Sequence, residues 1–286
     1  MIDGKNNVTN DGYKRILTIQ DISCVGQCSL TVALPILSAC GVETAVLPSA
    51  VLSTHTAGFK GFTFRDLTDD MPLILDHWVR EGIKFDGFYT GYLGSGQQID
   101  YCLRIAAETA APGAVFIVDP AMADNGKLYT GFDMNFVDEM KRLVAKADIA
   151  LPNLTEACLL TGVSYREQYN AQYICEITER LLDLGTGKVV LTGVGFEEGF
   201  TGVWVTDGTN TDYYRHVRIE KGCHGTGDVY ASAFAGALMR GRNAVEAARI
   251  AADYTVKCIL GTRGDADHWY GVKFEPQLPE LIRMLG

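Results

Sequence analysis

The segment 221–241, KGCHGTGDVYASAFAGALMRG, combines residue types that could act on a phosphate group. Gly225 and Gly227 flank Thr226 directly before small and apolar residues whose spacing predicts a helix. Glycines at a helix start let backbone N–H groups converge on an anion. Asp228 would repel that anion unless it accepted a proton from an attacking hydroxyl. A carboxylate in the first turn also stabilises a helix, so capping is the alternative interpretation.

Two other segments carry oxygen ligands that suit a hard cation. LPNLTEA places Asn153 and Glu156 three residues apart at a predicted helix entry, either as a capping box or as a pair that orders the water shell of Mg²⁺. VDPAMAD places Asp119 and Asp124 around a proline at a strand end, where a turn or Mg²⁺ would suit them. Both alternatives stay open in each segment.

Short apolar runs that alternate with amphipathic patterns must position these residues. The alternation predicts an α/β protein with a mostly parallel central sheet between helices on both faces. GVWVT and DYYRHV flank the turn-like DGTNTD and predict a late antiparallel hairpin. The predicted parallel strands are 15–20, 44–48, 85–93, 114–119, 147–153 and 188–193. Because ligands bind beyond the carboxyl ends of such strands, we expect the polar residues that follow them to line one site.

Composition and charge exclude several classes of protein. The 286 residues are 47% hydrophobic and 21% charged, which predicts one globular domain over 1–286 with a loose polar tail at 1–13. A net charge of −10 argues against a nucleic-acid or anionic-membrane surface. No run is apolar enough to cross a bilayer, and neither a P-loop nor a G-x-G-x-x-G fingerprint occurs, which argues against a dehydrogenase.

The cysteines indicate a reducing compartment. Eight are scattered, mostly in apolar runs, and the chain has no signal-like start, so we expect a cytoplasmic protein with buried thiols. Cys24 and Cys28 stand four apart without the partners that a zinc site would need.

Five motifs in order carry a resemblance to a known family. LSTHTAGF, TGYLGS, DPAMAD, LPNLTEA and CHGTGDVYASAFAGAL resemble the motifs of bacterial pyridoxal/pyridoxamine kinases of the ribokinase-like superfamily, over nearly the whole chain from Arg15 onward. G-T-G-D is fairly specific for the superfamily, and TGYLGS with HT narrows it to vitamin B6 kinases. The resemblance implies a three-layer kinase fold, ATP as co-substrate, Mg²⁺, K⁺ as a further cation, and a homodimer.

The resemblance also implies roles for single residues. Asp228 would activate the 5′-hydroxymethyl group of the vitamer, and Gly225, Thr226 and Gly227 would form the anion hole for the γ-phosphate. On the nucleotide and metal side it implies ATP-binding residues Asn153, Glu156, Thr192 and Asp124, and metal-binding residues Asp119, Asp124 and Glu156. On the substrate side it implies His55, Thr56, Tyr92, Asp21, Ser23 and Cys223.

Two of these substrate residues carry alternatives. Asp21 and Ser23 stand where better-known members have a serine, and Asp21 would favour a protonated ring nitrogen or a cationic amine, or it would cap the next helix. Cys223 would form a hemithioacetal with the aldehyde of pyridoxal, or it would be a small buried residue. The alternative functions are a hydroxymethylpyrimidine/phosphomethylpyrimidine kinase of thiamin synthesis and a catalytically idle vitamer-binding protein.

Overall fold

The computed structural model describes residues 12–219 and 224–286. Its strands are β1 (Arg15–Ser23), β2 (Glu43–Leu52), β3 (Phe64–Asp66), β4 (Phe85–Thr90), β5 (Ala110–Val118), β6 (Ala123–Asp124), β7 (Lys127–Leu128), β8 (Ile149–Ala150), β9 (Lys188–Thr192), β10 (Phe200–Thr206) and β11 (Thr211–Val217). Its helices are α1 (Leu30–Ala39), α2 (Asp70–Arg80), α3 (Gly96–Thr109), α4 (Met134–Val144), α5 (Leu154–Thr161), α6 (Ala171–Asp183), α7 (Thr226–Met239), α8 (Ala244–Thr262) and α9 (Leu278–Leu285).

A nine-stranded sheet forms the centre of the molecule, in the order β11-β10-β9-β8-β5-β4-β1-β2-β3. The six strands from β9 to β2 in this order run parallel, while β10, β11 and β3 are antiparallel to their neighbours. Seven of the nine residues of β1 are buried, because helices cover both faces of the sheet. The predicted parallel sheet and late hairpin are confirmed.

Two helical layers cover the sheet and enclose two hydrophobic cores. Ile16 of β1 belongs to the core under α1, α7, α8 and α9, whereas its neighbour Leu17 belongs to the core under α2 to α6. Successive side chains of a strand point to opposite faces, so one apolar strand supplies both cores. The predicted three-layer architecture is therefore confirmed. None of the helices in the described ranges could span a membrane, since none is both long and apolar enough.

The structure corrects several predicted boundaries. The strand predicted at 147–153 is reduced to Ile149–Ala150, because Pro152 cannot donate a ladder hydrogen bond and α5 begins at Leu154. Strand β2 continues to Leu52, beyond the predicted end at Pro48. The edge strand β3 and the small β6–β7 hairpin were not predicted, since three and two residues are too few for a sequence pattern. Of the predicted tail, residues 1–11 lie outside the described residues.

Candidate active site

The start of α7 holds the predicted base. Asp228 lies in the first turn, but no side chain caps this helix. Its partly buried carboxylate instead faces the backbone N–H of Ser29 and the thiol of Cys28, which both lower its pKa. Loss of hydration outweighs them and, with the nearby charge of Asp21, raises the pKa of Asp228 to about 7. A carboxylate with this pKa can accept a proton near neutral pH.

Gly225 allows a close contact that builds the site. It is the N-cap of α7 with φ 77°, and a Cβ atom here would lie 1.7 Å from the carbonyl oxygen of Gln27. Only glycine fits this conformation and this space. The loop that follows β1, residues 24–29 and called the β1 loop below, is thereby packed onto the start of α7.

Asp21 lies at the end of β1, beneath that loop. The residue is only 4% exposed, and its two oxygens accept hydrogen bonds from the hydroxyls of Ser29 (2.5 Å) and Ser23 (2.9 Å). Burial raises the pKa of Asp21, while the two hydroxyls lower it. The alternative that Asp21 caps α1 is wrong: its oxygens accept serine hydroxyls, and the N-cap of α1 is Ser29.

His55 is held by backbone on both sides of its ring. Nε2 lies 2.7 Å from the carbonyl oxygen of Tyr270, and Nδ1 accepts the backbone N–H of Ala57 at 3.1 Å. These partners assign the proton to Nε2. A Cβ on Gly26 would lie 2.1 Å from the His55 ring, so the β1 loop packs against it as well. Both ring nitrogens of His55 are therefore engaged by backbone groups and the residue is buried, whereas its neighbour Thr56 is exposed.

Sequence reasoning missed the segment that completes this pocket. The carbonyl of Tyr270 fixes His55, and the ring of Trp269 lies 4.7 Å from that of Phe59. Phe59 and His224 in turn lie 5.0 and 5.6 Å from the His55 ring. The signal was the aromatic run HWY after the last long helix.

Tyr92 lies on the same side of the site. Burial raises its pKa, and the nearby charges of Asp21 and Asp66 raise it further. Its carbonyl accepts the hydroxyl of Ser49 at 3.3 Å, and its ring lies 5.4 Å from that of Phe132. The structure thus brings the predicted substrate residues Ser23, His55 and Tyr92 close to Asp21, and Asp21 in turn lies near Asp228.

The start of α5 carries Glu156, which lies near Asp119, as Asp228 does. The Glu156 carboxylate accepts the backbone N–H groups of Asn153 (2.9 Å), Met122 (3.1 Å) and Ala123 (3.4 Å). The Asn153 side chain accepts the Glu156 N–H at 3.0 Å and donates to the Ala123 carbonyl at 2.8 Å. The capping-box alternative is confirmed, and the box also ties α5 to the segment after β5. A role of Glu156 at a metal stays a prediction.

Thr192 lies next to this capping box. It forms a parallel bridge with Asn153, and its N–H donates to the Pro152 carbonyl at 3.0 Å. The end of β9 and the start of α5 are thus held together, as the resemblance implies for residues around one nucleotide.

The carboxylates of Asp119 and Glu156 provide a test for a bound cation. Burial and the charges of Glu156 and Asp228 raise the pKa of Asp119. Within the described ranges, none of the carboxylates of Asp119, Glu156 and Asp228 forms an ion pair with lysine or arginine. Asp124 is exposed, and its carboxylate accepts the N–H of Asn125 at 2.8 Å. Buried oxygen ligands that lack a positive partner fit Mg²⁺.

These carboxylates do not form a complete metal cage. Among the described residues, no group of three or more histidine, cysteine, aspartate or glutamate side chains is arranged to hold a metal ion. Mg²⁺ characteristically keeps several waters and binds through one or two carboxylates and substrate phosphates. The residues therefore fit a cation that arrives with a phosphate ligand.

The cysteines near the site differ from expectation. Cys223 lies outside the described residues, so both alternatives for it stay predictions. Cys24 is exposed and Cys28 is half-buried beside Asp228, so the expected burial of both thiols is wrong. Both belong to the β1 loop, which packs against the site rather than into a core.

The fold is that of the ribokinase-like superfamily, and together with the relatives described next it identifies the chain as a kinase of the pyridoxal kinase type. Residues 37–271 match the model of the phosphomethylpyrimidine kinase family, and the chain belongs to that family.

Solved structures agree with this assignment. A Bacteroides thetaiotaomicron protein with a provisional assignment as phosphomethylpyrimidine kinase is 36% identical, with a TM-score of 0.90 over 98% of this chain and 96% of that one. An orthorhombic form of that protein was solved with pyridoxal and has a TM-score of 0.88. Pyridoxal kinase from Lactobacillus plantarum is 31% identical, with a TM-score of 0.87 over 95% and 97% of the two chains. A relative matched by sequence, pyridoxal kinase from Dictyostelium discoideum, is 27% identical over 79% of this chain and 78% of its own length.

Proposed function

We propose that the chain transfers the γ-phosphoryl group of ATP to the 5′-hydroxymethyl group of a B6 vitamer. The observation that carries this proposal is the Asp228 carboxylate, whose pKa is raised to about 7 at a helix start that no side chain caps. Phosphoryl transfer to a hydroxyl requires a base for the hydroxyl proton, and free N–H donors for the transferred group at the same place. The pyridoxal in the 36% identical structure supports a vitamer as acceptor.

Each part of the site has a role in this reaction. Asp228 accepts the hydroxyl proton as the oxygen attacks phosphorus. The backbone N–H groups of Gly225, Thr226 and Gly227 stabilise the charge that spreads over the transferred group. His55 and Tyr92 orient the pyridine ring of the vitamer.

On the nucleotide side, Asn153 and Thr192 hold the segments that face the phosphates. Asp119, Asp124 and Glu156 would hold Mg²⁺, directly or through water. When bound, Mg²⁺ neutralises phosphate charge and orients the γ-phosphoryl group. Asp119 and Glu156 suit this role because each lacks a positive partner among the described residues. The family resemblance further supports K⁺ as an additional cation and a homodimer, and the free cysteines among the described residues support a cytoplasmic location.

The test measures steady-state phosphorylation of pyridoxal, pyridoxine, pyridoxamine and hydroxymethylpyrimidine with ATP and Mg²⁺, each with and without K⁺. We expect kcat/KM to be larger for at least one vitamer than for the pyrimidine. A preference for the pyrimidine would instead support a hydroxymethylpyrimidine/phosphomethylpyrimidine kinase, the alternative that the name of the matching family suggests. Vitamer binding without ATP consumption would support an idle binding protein and contradict the proposal.

A further inference from the structure

Gln98 is a buried amide whose hydrogen bonds connect three separate segments. It lies in the first turn of α3 and is only 1% exposed. Its Oε1 accepts the backbone N–H of Gly94 at 2.7 Å. Its Nε2 donates to the hydroxyl of Thr68 at 2.8 Å and to the carbonyl of Ser49 at 3.1 Å. The amide oxygen and both amide hydrogens are engaged, so the side chain has one fixed orientation.

Ser49 extends this connection to Tyr92. The hydroxyl of Ser49 donates to the carbonyl of Tyr92 at 3.3 Å, while its own carbonyl accepts the amide of Gln98. The loop between β4 and α3, residues 91–95 and called the Tyr92 loop below, is therefore bound to β2 in two ways. One hydrogen bond joins it directly at Tyr92, and Gln98 joins it at Gly94.

Strand β2 leads to His55, the other residue that is predicted to face the pyridine ring. The strand ends at Leu52, three residues before His55. Its last residues pair with β3, and Asp66 of β3 accepts the N–H of Thr68 at 2.7 Å and the Thr68 hydroxyl at 2.5 Å. Gln98 thus joins the strand that leads to His55 to the loop that carries Tyr92.

The other end of the reaction lies on helices that Gln98 does not contact through hydrogen bonds. Among the described residues, none of its partners belongs to α7, which carries Asp228, or to α5, which carries Glu156. Loss of the Gln98 amide should therefore weaken binding of the vitamer more than it slows phosphoryl transfer or weakens binding of ATP.

We propose that Gln98 is a positioning residue for vitamer binding, which sets the place of Tyr92 relative to His55 by joining the Tyr92 loop to β2. The inference rests on the proposed function, since it concerns the vitamer pocket of that reaction. It adds a buried residue of α3 to a pocket whose predicted members all lie outside that helix.

The test compares Gln98→Met with wild type in steady-state kinetics. Methionine has nearly the volume of glutamine but no amide, so the Gly94 N–H and the Ser49 carbonyl lose this partner and the Tyr92 loop is released. We expect KM for the vitamer to rise about tenfold, while kcat and KM for ATP stay within about threefold. A vitamer KM within about twofold of wild type overturns the proposal, as does an equal rise in both KM values.

Two further variants separate positioning from folding. Gln97→Met is the matched control, since Gln97 is exposed and donates to the hydroxyl of Tyr101 within α3 at 3.0 Å. It should leave both KM values unchanged. Ser49→Ala removes only the hydroxyl that holds the Tyr92 carbonyl, so it keeps the test valid if Gln98→Met does not fold. It should raise the vitamer KM at unchanged kcat, and a wild-type vitamer KM in this variant overturns the proposal.

A double-mutant cycle tests whether Gln98 acts through Tyr92. In the Tyr92→Ala background, Gln98→Met should raise the vitamer KM by less than about threefold, because the side chain that it positions is already lost. An undiminished effect in this background overturns the proposal. Wild-type enzyme that phosphorylates no vitamer would refute the proposed function itself, and this result is read before any variant.

Discussion

The starts of α5 and α7 differ although the sequence presents them alike. Each follows the carboxyl edge of the sheet and carries an acid in its first turn, Glu156 in α5 and Asp228 in α7. In α5, Asn153 and Glu156 complete a reciprocal capping box. In α7, the N-cap is Gly225, no side chain caps the helix, and the acid faces the neighbouring loop.

The difference separates a structural helix start from a reactive one. In α5, side chains already accept the N–H groups of Asn153 and Glu156, so these two groups are not available to an anion. The N–H groups of α7 have no side-chain cap and stay available to a transferred phosphoryl group. A glycine at the N-cap, with an acid three residues later, therefore indicates chemistry more strongly than an asparagine in the same place.

The largest effect should come from Asp228→Asn. The amide is nearly isosteric but a poor base, so kcat should fall about 10²- to 10⁴-fold. Thermal unfolding should change little, because Asp228 does not cap α7. Near-normal kcat in a stable variant would show that both helix starts are structural.

Gly225→Ala should damage the α7 start in a second way. Gly225 has φ 77°, and an added Cβ would lie 1.7 Å from the Gln27 carbonyl oxygen, so unfolding free energy should fall by about 1–3 kcal/mol or more. Gly227→Ala is the matched control, because nothing lies within 4 Å of its added Cβ. Urea denaturation of both variants gives the comparison, and equal stabilities would refute the assigned contact.

The raised pKa of Asp228 should appear in two pH profiles. Because the base must be ionised, kcat should rise with pH and level off above about pH 7. The folded pKa exceeds the unfolded value, so the folded state binds this proton more tightly. Stability from this group is therefore greatest below about pH 4 and is lost as pH rises toward 7.

The control for the stability profile is Asp228→Asn without ligands. This variant lacks the titrating group, so its unfolding free energy should decline less steeply between pH 4 and 7 than that of wild type. Parallel declines would mean that Asp228 does not titrate with a raised pKa.

The smallest effect should come from Glu156→Gln at the α5 start. Glutamine has one acceptor oxygen where glutamate has two, so either the Asn153 N–H or the N–H groups of Met122 and Ala123 lose their partner, and unfolding free energy should fall by about 1 kcal/mol. If Glu156 also orders the water shell of Mg²⁺, the Mg²⁺ concentration for half-maximal rate should rise. An unchanged Mg²⁺ titration would make this helix start purely structural and sharpen the contrast with α7.

Local patterns in the sequence were sufficient for the elements and for part of the site. Periodicity predicted the parallel strands, the late hairpin and α7. A strand or helix that is buried on one face or on both leaves a regular pattern of apolar residues in the sequence. Short elements such as β3 and β6 could not be predicted in this way, because they contain too few residues to show a pattern. The N-x-x-E spacing was equally informative for Asn153 and Glu156, since a capping box is a contact within one helical turn.

Contacts between distant segments could not be predicted in this way. The Tyr270 carbonyl that fixes His55 lies 215 residues away, and no local pattern records that pairing. The pKa of Asp228 depends on the β1 loop, which removes water and brings Ser29 and Asp21 nearby.

By itself, the sequence determined the layered α/β architecture and the kind of residues at the sheet edge, because both depend on local spacing and chemistry. The tertiary structure alone decided that Asp228 leaves its helix without a side-chain cap, and that Asp21 accepts the hydroxyl of Ser29 rather than a backbone N–H of α1. A carboxylate in a first turn can meet its own helix or a neighbouring loop, and only the packing of that loop selects between them.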